Sequence, residues 1–144
     1  CSLPIMCPMG QVDNIPMVDG GVTDSIPFER ALADGCEKLL VVLTKEDDYR
    51  KKPGAINIPS VIYRKYPLLR EVLGNRNDAY NAQLDSLKDI ENKGIAMVMR
   101  PTESCGVGRT TDDTESLDRL YDLGYKMAHE NLDRIRQFLG EGSK

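Results

Sequence analysis

No Gly-x-Ser-x-Gly occurs anywhere in the 144 residues, so the chain lacks the strained, glycine-flanked serine turn on which many hydrolases display a nucleophile. It also lacks any Cys-x-x-Cys pair. Its four cysteines, Cys1, Cys7, Cys36 and Cys105, match neither a zinc site nor a dense disulfide framework, which predicts reduced thiols in a cytoplasmic chain. There is one histidine, in His129-Glu130-Asn131-Leu132-Asp133. A zincin helix needs a second histidine where Asp133 stands, so no metal site of that kind is expected, no cofactor is implied, and the spacing puts His129 on a helix surface. No apolar run approaches the roughly 20 residues that cross a bilayer. The amino-terminal residues lack the basic and long apolar segments of a secretory signal. A net charge of -4 offers no positive excess with which to hold a nucleic acid. There are no internal repeats. The first residue is Cys1 rather than Met, and the expectation is a piece of a longer chain.

What is present reads as α/β. With 40% hydrophobic and 29% charged residues, the composition is that of a soluble globular protein, long enough for one domain with a core. Ile15 to Val18 predict a short strand, followed by Asp19-Gly20-Gly21-Val22, in which two glycines can take positive φ. An acid at a strand's carboxyl end lies where open α/β sheets form their clefts. Asp24 or Ser25 can cap a helix with Pro27 near its first turn, running through Phe28, Ala31 and Leu32 and ending at Gly35. Lys38 to Thr44 contain five consecutive aliphatics and predict a strand buried on both faces, as in a parallel sheet. Residues 15–44 thus predict a right-handed β-α-β unit that sets Asp19 and Thr44 at one sheet edge.

The loop Lys45 to Pro53 is strongly charged. Its Arg50-Lys51-Lys52 triplet reads either as solvated surface or as a cleft rim meeting anionic head groups. Residues 45–94 form a mostly helical excursion: a helix from Pro59 to Leu73 interrupted at Pro67, a second over 75–92, and Gly94 as its close. Ile95 to Met99 predict the next strand, which makes a second parallel crossover. The Gly106-Val107-Gly108-Arg109 segment is neither a Walker loop nor a Rossmann fingerprint, and reads as a turn with Arg109 available for a local ion pair. A final helix begins near Asp113-Thr114, with Glu115 in its first turn. Its stripe of Leu117, Tyr121, Gly124, Ala128, Leu132, Ile135 and Leu139 is expected to dock on the sheet, and Gly140 to Lys144 form a frayed tail. The fold class expected is a mostly parallel sheet flanked by helices.

Asp19 could ligate a metal, accept a phosphoryl group, bind a ribose, serve a nucleophile as base, or only shape a turn. A haloacid-dehalogenase-type phosphatase needs a second acid two residues on, where Gly21 stands. A ribose-binding acid follows an earlier glycine-rich strand–helix turn, and none precedes Asp19.

Several segments, in this order, carry a resemblance. They are Cys1-Ser2-Leu3-Pro4-Ile5, Val18-Asp19-Gly20-Gly21-Val22-Thr23-Asp24-Ser25-Ile26-Pro27, Lys38 to Thr44, Tyr49-Arg50-Lys51-Lys52-Pro53, Asn75-Arg76 through Tyr80-Asn81, Arg100-Pro101 and Gly106 to Arg109. Together they span nearly the whole chain, which resembles the bacterial patatin-like phospholipases. The resemblance implies a partial patatin-like three-layer fold, with residues 1–144 as a carboxyl-terminal portion of that domain. It also implies a serine acyl hydrolase that cleaves lipid ester bonds through a Ser-Asp dyad. The family's dyad acid falls on Asp19, and Gly20 and Gly21 form the turn that positions it. Asp19 would accept the serine proton and return one to the leaving alcohol, while backbone amides hold the oxyanion. An ordinary Asp, at about 3.9, is a weak base, so a dyad calls for a partly desolvated carboxylate.

The family's serine elbow and oxyanion turn are absent. Ser2, Ser25, Ser60, Ser86, Ser104, Ser116 and Ser143 all lack the glycine flanks, and this chain alone is expected to be inactive. The implied partners are a lipid or ester substrate, a membrane surface contacted peripherally, and further copies of the chain in a homo-oligomer that covers strand edges left unpaired. No nucleic acid is expected. The alternative is a non-catalytic α/β binding or regulatory module, and a third reading is a phosphatase or nucleotide-binding enzyme using Asp19.

Overall fold

The computed structural model describes residues 2–54, 59, 61–108 and 111–140. Cys1, Ser60, Arg109, Ser143 and the rest of the tail after Gly140, all named above, lie outside the described residues. The chain divides into two compact units, one of Cys1–Pro27 with Arg50–Ser86, the other of Phe28–Tyr49 with Leu87–Lys144.

The first unit opens with a hairpin. Strand β1 (Gly10–Val12) pairs antiparallel with β2 (Ile15–Met17), Gly10 opposite Met17 and Val12 opposite Ile15. Asp13 and Asn14 join them with φ of 50° and 61°, left-handed values that short polar side chains tolerate and that a two-residue hairpin turn requires. This corrects the expected β-α-β unit over residues 15–44, because β2 takes its partner from the preceding residues rather than from the strand near residue 40. A two-residue loop closes at small entropic cost, and so wins over a distant pairing.

Helix α2 (Pro67–Asn92) is continuous. Pro67 does not interrupt a helix, as expected above, but stands at its first position, where the missing N–H has no intrahelical partner to lose. At the far end Gly94, at φ 71°, lets Ile95 N–H reach Ile90 O at 3.0 Å and Gly94 N–H reach Glu91 O at 3.0 Å, which closes the helix. In the first unit Val22, Ile26, Leu73 and Leu84 are buried, and Val18, Ile62, Tyr63, Leu69 and Val72 pack around Val22 and Leu73.

In the second unit, α1 (Phe28–Ala33) ends at Gly35 as expected, with φ 93°. Strand β3 (Leu39–Val42) pairs in parallel with β4 (Ala96–Met99), from Leu39 opposite Ala96 to Val42 opposite Met99. The parallel crossover is therefore present, but the strand is not buried on both faces. Leu39 is buried, while Leu40 and Val42 are exposed on the opposite side, Val42 by 68%. The described strands thus form two two-stranded sheets, one antiparallel and one parallel, in a mixed α/β chain rather than one mostly parallel sheet. Beyond β4, Arg100 forks onto Glu91 with both terminal nitrogens, at 3.2 and 2.8 Å, and its Nε lies 3.2 Å from Asp47.

Asp113 caps α3 (Thr114–Glu130) by accepting Ser116 N–H at 3.2 Å. The final helix is not continuous: Asn131 breaks it, and α4 (Leu132–Leu139) follows, closed by Gly140 at φ 84°. The docking stripe is also shifted. Leu117, Tyr121, Leu132 and Leu139 are exposed, whereas Leu120, Leu123 and Met127 line a cavity with Val42 and Met99. Two apolar stripes one residue apart have the same period, and side-chain bulk decides between them. Of the expected stripe, Gly124 lines that pocket too and Ile135 is half-buried, so the shift is partial. His129 is exposed, as expected, and its ring lies 5.1 Å from that of Tyr125. No helix among the described residues is long and apolar enough to cross a membrane.

Candidate functional site

Asp19 sits where β2 gives way to a short 3-10 turn over Gly20–Val22. Its own N–H reaches Ser2 O at 3.0 Å, and its backbone is extended, with φ -55° and ψ 131°. In that conformation Oδ1 folds back to accept Gly21 N–H at 2.8 Å, the bond that an N-cap makes. The turn closes on itself: Val22 N–H reaches Asp19 O at 3.1 Å, and the N–H groups of Thr23 and Asp24 both reach Gly20 O.

The two glycines serve differently from expectation, for neither adopts positive φ. A Cβ at Gly20 would meet nothing within 4 Å. A Cβ at Gly21 would stand 3.0 Å from Asp19 Oδ1 and 3.8 Å from Arg76 Nη2. Gly21 is thus favoured by the close approach of the Asp19 carboxylate, not by backbone handedness, and the guanidinium lies at ordinary contact distance.

Helix α2 clamps this turn from one face. Arg76 Nε–H donates to Gly21 O at 3.0 Å, and Ser25 Oγ–H donates to the same carbonyl at 2.9 Å. Two helical turns further on, Gln83 uses both ends of its amide: Nε2–H donates to Asp24 Oδ1 at 2.6 Å, and Oε1 accepts Ile26 N–H at 3.3 Å. Asp24 and Ser25 are therefore spent on holding the turn and are not caps for α1. Ser2 Oγ–H is directed to Pro8 O, so the two hydroxyls of this region that make these bonds address carbonyls rather than Asp19.

A second polar row on α2 holds residues 50–54. Asn81 brackets Lys51, accepting its N–H at 3.0 Å and donating to its carbonyl at 2.9 Å. Asn77 donates to Lys52 O, Asp78 accepts Gly54 N–H, and Asp85 pairs with Arg50 at 3.2 Å. Lys51 Nζ stands 3.9 Å above the Tyr80 ring. The backbone of the basic triplet is laced to a helix, while Arg50 and Lys52 remain exposed. Arg76, Asn77 and Asn81 lie in a segment that carries the resemblance, but the sequence assigns no role to them or to Gln83, because polar residues in a helical pattern read as the solvent face. The signal available was their repetition at i, i+4 and i, i+7, which aligns them on one side.

No sheet edge brings Asp19 and Thr44 together, because β2 and β3 belong to different sheets. Among the described residues no group of three or more His, Cys, Asp or Glu side chains is arranged to hold a metal ion. Cys7, Cys36 and Cys105 are free thiols. What the turn offers chemically is one half-buried carboxylate, fixed in direction by a backbone N–H, on a loop that an arginine and a glutamine hold still.

A family model described as a domain of unknown function, DUF6363, matches residues 66–140, just over half of the chain. The matched segment runs from the start of α2 to the end of α4, and so takes in Arg76 and Gln83 but not Asp19. No curated protein matches, and no solved structure does.

Proposed function

We propose, for a chain that belongs to the DUF6363 family, that it is the acid-bearing carboxyl-terminal part of a patatin-like serine acyl hydrolase. The observation that carries this reading is the Asp19 carboxylate, held at 2.8 Å by Gly21 N–H on a turn clamped through Gly21 O. A dyad without histidine has no imidazole to correct a misplaced acid, so the carboxylate itself must be set in place beforehand. The order of segments shared with the patatin-like phospholipases supports the same role.

In this reading a serine outside the 144 residues attacks the carbonyl of a lipid ester. Asp19 accepts the serine proton and passes a proton to the leaving alcohol, and the acyl-serine is then hydrolysed by water. Gly20 and Gly21 form the turn that positions the acid. The three-layer patatin-like arrangement belongs to the proposal. So does a covering partner for two exposed apolar faces, one formed by Val12, Ile15 and Met17 on the hairpin and one by Leu40 and Val42 on the parallel pair. The remainder of the domain, or a second copy of the chain, would supply it. Peripheral contact with a lipid surface and a cytoplasmic location complete the reading; the free thiols suit a reducing compartment.

A non-catalytic binding module is the second reading, and the Gly21 bond favours it too, since a capping carboxylate already has a structural task. The two part in the protein made from the whole reading frame and assayed with a chromogenic ester. Asp19→Asn keeps an oxygen to accept Gly21 N–H and removes the base. The hydrolase reading expects kcat to fall by about 10²–10⁴-fold with KM little changed, and no acyl burst from the 144-residue chain alone. Full activity in Asp19→Asn, or a burst that labels a serine within these residues, overturns it.

A further inference from the structure

Helix α2 is the first element of the segment matched by the family model, and the Asp19 turn that it grips lies outside that segment. The two meet at Gly21. Its N–H is bonded to Asp19 Oδ1 at 2.8 Å, and its carbonyl accepts from Arg76 Nε–H at 3.0 Å. The acid and the guanidinium therefore act on the two peptide groups of one residue. That residue has no Cβ, and no residue type is less restricted in φ and ψ than glycine. Once its carbonyl is free to turn, nothing in its own covalent structure keeps the N–H aimed at the carboxylate.

Three features distinguish Arg76 from the other groups at the turn. Ser25 Oγ–H donates to the same carbonyl, but Ser25 belongs to the turn, so its bond closes the turn without fixing it to the helix. Gln83 does reach across from the helix, but to Asp24 and Ile26, beyond the residue that holds the acid. Arg76 stands three residues after Leu73, whose buried side chain packs with Val22, the neighbour of Gly21. The guanidinium is thus delivered from a part of α2 already anchored beside the turn. Its Nη2 lies 3.8 Å from where a Gly21 Cβ would stand, so the planar group covers the bare side of the glycine while Nε–H holds the carbonyl. The point charge of a lysine cannot do both.

We infer that Arg76 is a positioning residue for the Asp19 carboxylate, and that the DUF6363 segment serves in this chain to aim the base carried by the turn before it. This rests on the acyl-hydrolase reading and goes beyond it, since that reading needs Asp19 and a serine but gives residues 66–140 no task. With Oδ1 bonded to Gly21 N–H, Oδ2 accepts no hydrogen bond among the described residues and is the oxygen left to take the serine proton. A turned Gly21 peptide releases Oδ1, and the carboxylate then spreads over its rotamers. Losing Arg76 lowers the fraction of molecules in which the acid is aimed. That reduces kcat and leaves substrate binding as it was.

The test is a double-mutant cycle in the protein made from the whole reading frame, assayed with a chromogenic ester. Arg76→Ala should lower kcat by about 10–10²-fold with KM little changed, as a displaced catalytic group does. In an Asp19→Asn background the same substitution should change the residual kcat by less than about twofold, because no base is left to aim. Where Arg76→Ala does not fold, Arg76→Lys keeps the stem and the charge and should still lose about tenfold in kcat. In either variant hydrogen exchange at Gly21 should accelerate more than at Ile26, which Gln83 holds. Full kcat in a folded Arg76→Ala or Arg76→Lys protein, beside an inactive Asp19→Asn, overturns this inference and leaves the role of the acid standing. Equal losses with and without Asp19, or unaltered exchange at Gly21, overturn it as well, since the arginine would then act apart from the acid. Full activity in Asp19→Asn overturns the hydrolase reading, and this inference with it.

Discussion

In the unit of Cys1–Pro27 and Arg50–Ser86, irregular backbone is held by side chains of one helix. Arg76 and Gln83 reach residues 21–26, and Asn77, Asp78 and Asn81 reach residues 51–54. In the unit of Phe28–Tyr49 and Leu87–Lys144, regular pairing does most of that work, through the β3–β4 ladder, with the Arg100 fork onto Glu91 and Asp47 at the strand end. The two means fail differently. A lost core side chain leaves a cavity whose cost is felt throughout a cooperative unit. A lost clamp leaves one or two backbone groups without a partner, and the effect stays near the loop it held.

Leu87 gives the largest contrast. It is fully buried, and Leu87→Ala should lower the stability of its unit by about 2–5 kcal/mol, read as a shifted midpoint in denaturant with the slope unchanged. Gln83→Ala should cost less, about 1–3 kcal/mol, because it strands Ile26 N–H and releases Asp24. Its signature is local: hydrogen exchange at Ile26 should accelerate while the amides of β3 and β4 keep their protection. Equal acceleration in both units would mean that the clamp and the ladder belong to one cooperative structure, which breaks the distinction. Gly21→Ala comes next, at about 1 kcal/mol, since the Asp19 carboxylate must yield to a Cβ placed 3.0 Å away. Unchanged stability with an unshifted Asp19 carboxyl resonance would show that the turn absorbs a Cβ freely.

The same division explains which features are legible in the sequence. The β3–β4 pair, the stops at Gly35 and Gly94 and the cap at Asp113 are legible because each has a local signal: an aliphatic run, a glycine in a left-handed turn, an acid three residues before a bonded N–H. Asp19 at the end of a strand is legible on the same terms. Arg76 is not, standing 55 positions from the carbonyl it holds. A helical arginine carries no mark of such a partner. The hairpin lies between these cases: Asp13-Asn14 is a turn signal, but Gly10 to Val12 contain one apolar residue too few to announce a strand. The buried face of α3 is not legible from period alone, because Leu120, Leu123 and Met127 repeat as well as Leu117, Tyr121 and Gly124 do.

The smallest effect tests the first turn of α3. Asp113 accepts from Ser116, first through the side chain and then through the backbone N–H, and these bonds hold its carboxyl below the ordinary carboxylate range. A carboxyl lowered on folding stabilises the folded chain above its unfolded value, about 3.9, and that contribution disappears as pH falls through the lower folded value. The difference in melting temperature between the unmodified chain and Asp113→Ala should therefore be present near pH 6 and shrink steadily below about pH 4. Asp113→Asn keeps an oxygen for Ser116 N–H and has nothing to titrate, so its difference from Asp113→Ala should not change over the same range. Exposure limits the size of this effect, because water screens the charge and competes for the bond. A difference from Asp113→Ala that persists undiminished at low pH would mean that the cap acts through its shape alone, and that the first turn of α3 owes nothing to the carboxylate's charge.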